Sequence, residues 1–355
     1  SSGQSINITN SLGTVIGTAS VVDGKVVFTP GDELDSLDDG ESEAVSFSYT
    51  ISDGQGGTDT ANVNLTVNGV DNDGVGTTIS RSSSINSEVL DSNDGLGNYN
   101  DTINESDDIK GYSSVSMYDG DDTINVSDDI KGYADIDMGA GADTINVSDD
   151  IKEHASIDTG AGNDTITVDD VKNDATIDMG SGNDTLNVKD DISDSANIDM
   201  GSGDDTVHLL DSDGSSKIEG ENGSYSGAEI DFGEGLDTLI IEDDFDLNFD
   251  NLTLDGSSYN QISNLEVIDM QNDSGNNELS NLDLSDVLHM TDDDNILKIL
   301  GDSGDEIGLN TEGNDAEWIK SDTQVSEDGE EFDVWTNSDN NATLYIDDDI
   351  TITDI

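Results

Sequence analysis

Seven aspartates recur along the middle of the chain in the step Asp-Thr-aliphatic: Asp101, Asp122, Asp143, Asp164, Asp184, Asp205 and Asp237. Their separations are 21, 21, 21, 20, 21 and 32 residues. Five of them stand in the nonapeptides MGAGADTIN, TGAGNDTIT, MGSGNDTLN, MGSGDDTVH and FGEGLDTLI. Each nonapeptide sets a glycine pair before its aspartate: Gly139 and Gly141, Gly160 and Gly162, Gly180 and Gly182, Gly201 and Gly203, Gly233 and Gly235. Glycine admits positive φ and leaves carbonyls free to turn toward an ion. The aspartate adds a carboxylate, so the set is all oxygen. That chemistry suits calcium, which takes about 6–8 oxygens at roughly 2.3–2.6 Å.

A second acidic column runs in phase with the first: Asp107–Asp108, Asp128–Asp129, Asp149–Asp150, Asp169–Asp170 and Asp190–Asp191. A lysine follows at Lys110, Lys131, Lys152 and Lys172, and Ser193 breaks that column. Two carboxylates per repeat could hold a second row of calcium, or pair with the lysines as a solvated ladder. The residues alone leave both open.

Such columns need elements that stack them. A period near 20 is the mark of a solenoid whose coils lie one over the next. Within a repeat, Ile145 and Val147 alternate with Thr144 and Asn146, and a return segment carries Ala155 and Ile157. This predicts two short strands and two turns per coil, with an apolar slot between two parallel sheets. A slot of about five aliphatic side chains per coil gives a thin core against the entropy of ordering the coil. Stacked carboxylates work against it as well. Two unit charges ~4.8 Å apart repel by roughly 0.9 kcal/mol in water and about 3.5 kcal/mol at an effective dielectric of 20. Cations that bind only the folded chain reverse that balance.

Composition agrees. The net charge is −73, from 83 acidic and 10 basic side chains, which excludes nucleic acid as a partner and argues against an anionic membrane surface. There is no cysteine, so neither a disulfide framework nor a thiolate metal site is available. No apolar run reaches the length of a membrane span. The start, SSGQSINITN, has no basic head or apolar core and reads as the interior of a longer chain.

Around the repeats the character changes. Residues 1–73 read as a partial β-sandwich of about four strands, with a hairpin at Asp23-Gly24-Lys25 and a Gly-rich turn at Gly54–Gly57. Residues 74–94 read as a linker or N-terminal cap, 95–241 as the solenoid, and 242–355 as a β-rich terminal cap. The excess at 208–227 reads as a loop bulging from one turn. The fold class expected is therefore all-β.

The nonapeptides resemble the RTX repeats of proteins exported by type I secretion. In that family, parallel β-roll coils bind calcium at both turns. Only one turn per coil follows the family pattern here, so the resemblance supports one row of sites. The stretch SDGQGGTDTA resembles cadherin-like and VCBS-type extenders of bacterial adhesins, which implies a calcium-bound junction at Asp71-Asn72-Asp73. Residues 262–355 resemble the C-terminal block of RTX adhesins, which implies an uncleaved secretion signal at the extreme end. Asp302, Asp305 and Glu306 could hold a further calcium.

The expected protein is a monomeric calcium-dependent module at the end of a secreted surface adhesin of a Gram-negative bacterium. Its partners would be calcium ions, the type I secretion machinery, and a host or surface ligand held through other modules. The alternatives are the RTX tail of a secreted protease or polysaccharide-active enzyme, and an ice-binding solenoid using the Thr-x-Asn face. Catalysis finds no motif: His154, His208 and His289 lie in no H-E-x-x-H pattern, and no G-x-S-x-G elbow is present. His154 and His208 read as surface residues and His289 as packing.

Overall fold

The computed structural model describes residues 5–9, 15–22, 25–30, 42–52, 58–68, 76–91, 95–210, 218–219, 227–242, 246–249, 252, 261–271, 276–292, 294–309, 318–327, 329–337 and 342–354. They fall into two compact units. One holds Ser1–Thr77 with Leu90–Asp101, the other Thr78–Val89 with Thr102–Ile355.

The first unit is antiparallel. Strands β1 (Ser5–Thr9), β2 (Val15–Val22) and β3 (Lys25–Pro30) form one sheet, and β4 (Ser42–Ser52) pairs with β5 (Thr58–Asn68). Val22 opposes Lys25, so the expected hairpin forms. Ile8, Ile16, Ala19 and Val45 make its core, with Phe47 packed against them. Strand β1 is the element the sequence reading missed. The residues of the Gly54–Gly57 turn and of the Asp71-Asn72-Asp73 junction lie outside the described residues.

The second unit is a parallel solenoid. In one coil, Thr165–Val168 enters a long sheet, Val171–Lys172 a short one, and Thr176–Asp178 a third. Each strand pairs in parallel with its counterpart one coil on: Thr165 with Thr185, Val171 with Ile192, Ile177 with Ile198. The two long sheets match the expected roll. The second turn does not stay a turn, because Ile151–Lys152 and its equivalents build the short third ladder between the two Asp-rich and Gly-rich corners. Six side chains of this coil point inward and are buried: Ile166, Val168, Val171, Ala175, Ile177 and Met179. Outward Thr and Asn positions alternate with them, as the period of two requires.

The long sheet runs on past residue 241. Thr238–Glu242 pairs with Val267–Asp269, that with Ile296–Leu300, and that with Thr343–Asp347, all in parallel. The direction then reverses, since Glu330–Asn337 and Trp318–Lys320 add antiparallel strands. A short helix, Leu284–Met290, is closed by a reciprocal capping box of Asp283 and Asp286. The N-terminal end begins earlier than residue 95: Thr78–Arg81 pairs with Thr102–Glu105, and Ile85–Asn86 with Ile109–Lys110. Of the excess at 208–227, residues 211–217 and 220–226 lie outside the described residues.

The Gly-x-Gly corners form a fourth ladder of single rungs, from Asp119–Ala140 through Ala161–Ser181 to Ser202–Glu234. Spacing is tight there. A Cβ built on Gly162, whose φ is +142°, would fall 1.6 Å from the Gly141 carbonyl oxygen. Replacing Gly162 by Ala is expected to lower stability by about 3 kcal/mol, since backbone rather than a flexible side chain must move. Urea unfolding of the calcium-loaded variant measures it.

Candidate metal centre

The first aspartate column lies inside the corner, not on its surface. Asp122, Asp143, Asp164, Asp184 and Asp205 are each 1% exposed and Asp237 is 0% exposed. Each carboxylate reaches back one coil. Oδ1 of Asp143 accepts the Asp122 amide at 2.7 Å, Asp164 accepts from Asp143 at 2.8 Å, and Asp184 from Asp164 at 2.7 Å. Asp205 and Asp237 continue the chain at 2.7 Å each. Glu266 ends it, accepting the Asp237 amide at 3.0 Å. In the other unit, the Asp101 carboxylate accepts the amides of Thr77 and Gly97.

The second oxygen of each carboxylate is the telling atom. Oδ2 of Asp143, Asp184, Asp205 and Asp237 is buried and has no hydrogen-bond partner. A buried ionised oxygen without a partner is among the costliest groups a fold can hold. Burial raises Asp143, Asp184 and Asp237 to a pKa of about 7, helped by the neighbouring row carboxylates, and Asp205 to about 6. Asp164 is raised by burial too, though the Thr159 hydroxyl eases it. No lysine or arginine faces the row among the causes that set these values.

The glycines divide by role. The carbonyls of Gly139, Gly160, Gly180 and Gly201 accept ladder bonds from Ala161, Ser181, Ser202 and Glu234 at 2.8–2.9 Å. Gly141, Gly162, Gly182 and Gly203 donate their amides to the ladder, and none of its bonds ends on their carbonyls. Gly233 repeats the positive φ of the first position, at 86°, and Gly235 packs against the Gly203 carbonyl. The oxygen left over at Asp143, Asp184, Asp205 and Asp237 is thus carboxylate Oδ2, while the second-glycine carbonyl packs against the next coil's glycine. Hard oxygens, charge and repetition are what a row of calcium ions would use.

In the second column, lysines pair with the inner aspartates Asp108, Asp129, Asp150 and Asp170. Lys131 reaches Asp108 at 2.9 Å and Asp129 at 2.7 Å, and Lys152 reaches Asp129 and Asp150 at 2.8 Å each. Lys172 closes on Asp150 at 2.8 Å and Asp170 at 2.6 Å, and Lys110 on Asp108 at 2.6 Å. Each inner ammonium bridges two coils. Burial alone would raise Asp108, Asp129 and Asp170, but the lysine hydrogen bonds pull all three below the usual carboxylate range. The aspartates are buried rather than solvated: Asp108 and Asp129 are each 4% exposed. Carboxylate oxygens of Asp107, Asp108 and Asp128, of Asp128, Asp129 and Asp149, and of Asp170, Asp190 and Asp191 also converge within 4.8 Å. In each group a zipper lysine already sits on an inner aspartate: on Asp108, on Asp129 and on Asp170. Asp169 lies on the corner's outer side, half-buried.

Other sequence-marked residues take structural parts. Asp305 is fully buried and accepts from Asn277 N, Asn277 Nδ2 and Asp302 N, so backbone and amide donors use its oxygens. Glu306 is exposed on a strand of the terminal coils. His289 is exposed and bonds to Ser285 of its own helix, which corrects its reading as a packing residue. His208 lies 3.2 Å from Glu242. Along the Thr-x-Asn face, Asn146 and Asn125 donate to Asn125 and Asn104, so those amides are spent on one another.

Two features escaped the sequence reading. Tyr112, Tyr133 and His154 stack on an exposed corner with ring centroids 5.0 and 4.7 Å apart. Their common spacing of 21 residues was the available signal. Glu105 takes the place that Val126 holds one coil on, and is buried with Oε2 unpartnered.

Among the described residues, no helix is long and apolar enough to cross a membrane. No curated protein and no solved structure matches the chain. Residues 1–66 match the bacterial Ig domain family, and an Ig-type module on a chain with a parallel β-solenoid fits a bacterial surface protein.

Proposed function

We propose that this chain is a calcium-hardened structural module of a secreted bacterial adhesin, not an enzyme. The observation that carries the reading is the row of buried, unpartnered Oδ2 atoms from Asp143 to Asp237. Calcium between coils would neutralise the row and tie each coil to the next. The Ig-type module would act as an extender, and adhesion to a glycan or protein would belong to other modules. The calcium-free chain, carrying −73 charges, would stay unfolded in calcium-poor cytosol. That state can thread a type I secretion channel, and folding outside in millimolar calcium would prevent return. The monomer is the working unit, since each row is completed within one chain.

Isothermal titration of the whole chain with calcium tests this. The expected isotherm saturates at several ions per chain, and fewer when Asp164 and Asp184 are both replaced by Asn. No heat of binding, or a stoichiometry that the double variant leaves unchanged, would overturn it.

A further inference from the structure

The Gly-x-Gly ladder ends abruptly, and its end leaves a cleft. The last rung joins Ser202 to Glu234. The next coil enters the long sheet at Val267 from Leu265, whose amide donates to the Met290 carbonyl. That segment, Ser263-Asn264-Leu265-Glu266, has no glycine corner to stack over the coil before it. The space left is about 330 Å³, lined by Leu236, Val267, Ile296 and Tyr345 together with Glu266, Asp292 and Asp294.

The residue types in this cleft break a pattern. The position just before the row aspartate carries Asp121, Ala142, Asn163, Asn183 and Asp204 in the earlier coils. Asp121, Asn163, Asn183 and Asp204 each use a side-chain oxygen there to accept the next coil's amide. Only the coil that borders the cleft has a leucine, and Leu236 is 58% exposed. Ile296, across from it, is 38% exposed. Likewise the outward column that reads Thr185, Thr206 and Thr238 turns to Val267 where the cleft begins. An apolar floor thus appears at the point where stacking stops.

The walls carry the opposite character. Glu266, Asp292, Asp294 and Glu327 bring four carboxylates to the lining. The lining's one cation, Lys298, pairs with the lining's own Glu327 at 3.2 Å and lies 4.8 Å from the centre of the Phe332 ring, so three carboxylates are left unanswered by lysine. The cleft therefore keeps an excess of negative charge over exposed apolar surface. A hydrated metal ion would answer the charge and leave Leu236 and Ile296 wet. A neutral apolar ligand would cover the floor and leave the walls unanswered.

We propose that this cleft binds an organic cation: an ammonium or guanidinium on an apolar stem, as a lysine or arginine side chain or a free amine presents it. The stem lies on Leu236, Val267 and Ile296, and the charge meets Asp292 and Glu266. The site adjoins the end of the proposed calcium row, since Glu266 also accepts the Asp237 amide, and methyl dispersion in the same spectra reports whether the coils are folded.

Methyl-labelled, calcium-loaded full-length chain is titrated with phenethylammonium, with the neutral isostere 2-phenylethanol, and with a short blocked peptide containing lysine and leucine. Phenethylammonium is expected to shift the Leu236, Val267 and Ile296 methyls saturably, and about tenfold more tightly than the alcohol. Asp292→Asn and Leu236→Asn are each expected to weaken it about fivefold or more, leaving the methyls of the earlier coils in place. Leu236→Asn restores the residue type that other coils carry, so loss of fold does not cloud it. Tighter binding of the peptide than of the amine assigns the cleft to a basic protein segment, and equal binding assigns it to free amines. The proposal fails if the alcohol binds as well as the ammonium, if both variants bind unchanged, or if further calcium displaces the amine stoichiometrically.

Discussion

Asp184→Asn is expected to stabilise the calcium-free solenoid and to destabilise the calcium-loaded one. In the calcium-free chain at pH 7.4, Asp184 must ionise in a buried place where its pKa has been raised to about 7 by burial and by its row neighbours Asp164 and Asp205. At about 1.4 kcal/mol per unit from an unfolded value near 3.9, that ionisation costs the fold roughly 4 kcal/mol. Asparagine keeps the Oδ1 that accepts the Asp164 amide at 2.7 Å. It puts an amide group where Oδ2 had no partner, and an unpartnered donor costs about 1–3 kcal/mol. The net gain without calcium is about 2 kcal/mol. With calcium the sign turns, because the variant removes a charged ligand from the row and loses about 3 kcal/mol. The folded fraction in EGTA by far-UV circular dichroism and urea unfolding in millimolar calcium, run side by side, read both signs. A shift in the same direction under both conditions would mean that Asp184 holds no cation.

The Asp184 argument depends on burial, and burial is what the sequence did not display. The period of the Asp-Thr step placed the coils, the alternation of Ile145 and Val147 with Thr144 and Asn146 set which face turns inward, and the return strand at Ile157 followed. These are legible because strand periodicity and a fixed repeat are local properties. The third ladder was not legible. Ile151–Lys152 is two residues long, too short for alternation to show, and it exists only because Val171 and Ile130 lie beside it in neighbouring coils. The terminal coils hid for a related reason: Thr238, Val267, Lys298 and Tyr345 share one column, but irregular insertions separate them, so no period survives. Strand β1 is hard to read because only Ile6 and Ile8 carry its alternation over five residues.

The two acidic columns look alike as residue lists and differ in the fold. Lysine at a fixed offset, two residues after the inner aspartate, lets each ammonium bridge its own coil and the previous one. The glycine corner has no such offset cation. Its carboxylates bond backbone amides through Oδ1, and Oδ2 of Asp143, Asp184, Asp205 and Asp237 stays bare. Lysines serve the inner aspartates of one column, and protons or the proposed calcium would serve the other. Ser193 marks the boundary of the first solution, because the zipper ends where lysine does.

Protons offer the way to separate that requirement from the charge of the whole surface. In EGTA, the chain is expected to be most stable near pH 4–5 and to lose stability as pH rises to about 7. The sign follows from the row. Its folded pKa values, about 7 for Asp143, Asp184 and Asp237 and about 6 for Asp205, lie above an unfolded value near 3.9. Between those limits the folded chain holds more protons than the unfolded one, so unfolding free energy falls with pH. Below pH 4 the zipper opposes this, because Asp108, Asp129 and Asp170 are held below the usual range and their contribution is lost as they protonate. Four row carboxylates make the loss between pH 5.5 and 7.5 several kcal/mol. Exposed carboxylates titrate near pH 4 and are screened by salt, so 0.5 M NaCl should leave that window in place. Calcium reverses the slope: ions hold the row ionised, and acid expels them as the carboxylates protonate. Folded fractions by far-UV circular dichroism from pH 4 to 8, with EGTA and with calcium, therefore cross. Parallel curves, or a calcium-free chain that gains stability toward pH 7, would show that the buried row is neither proton-loaded nor metal-loaded.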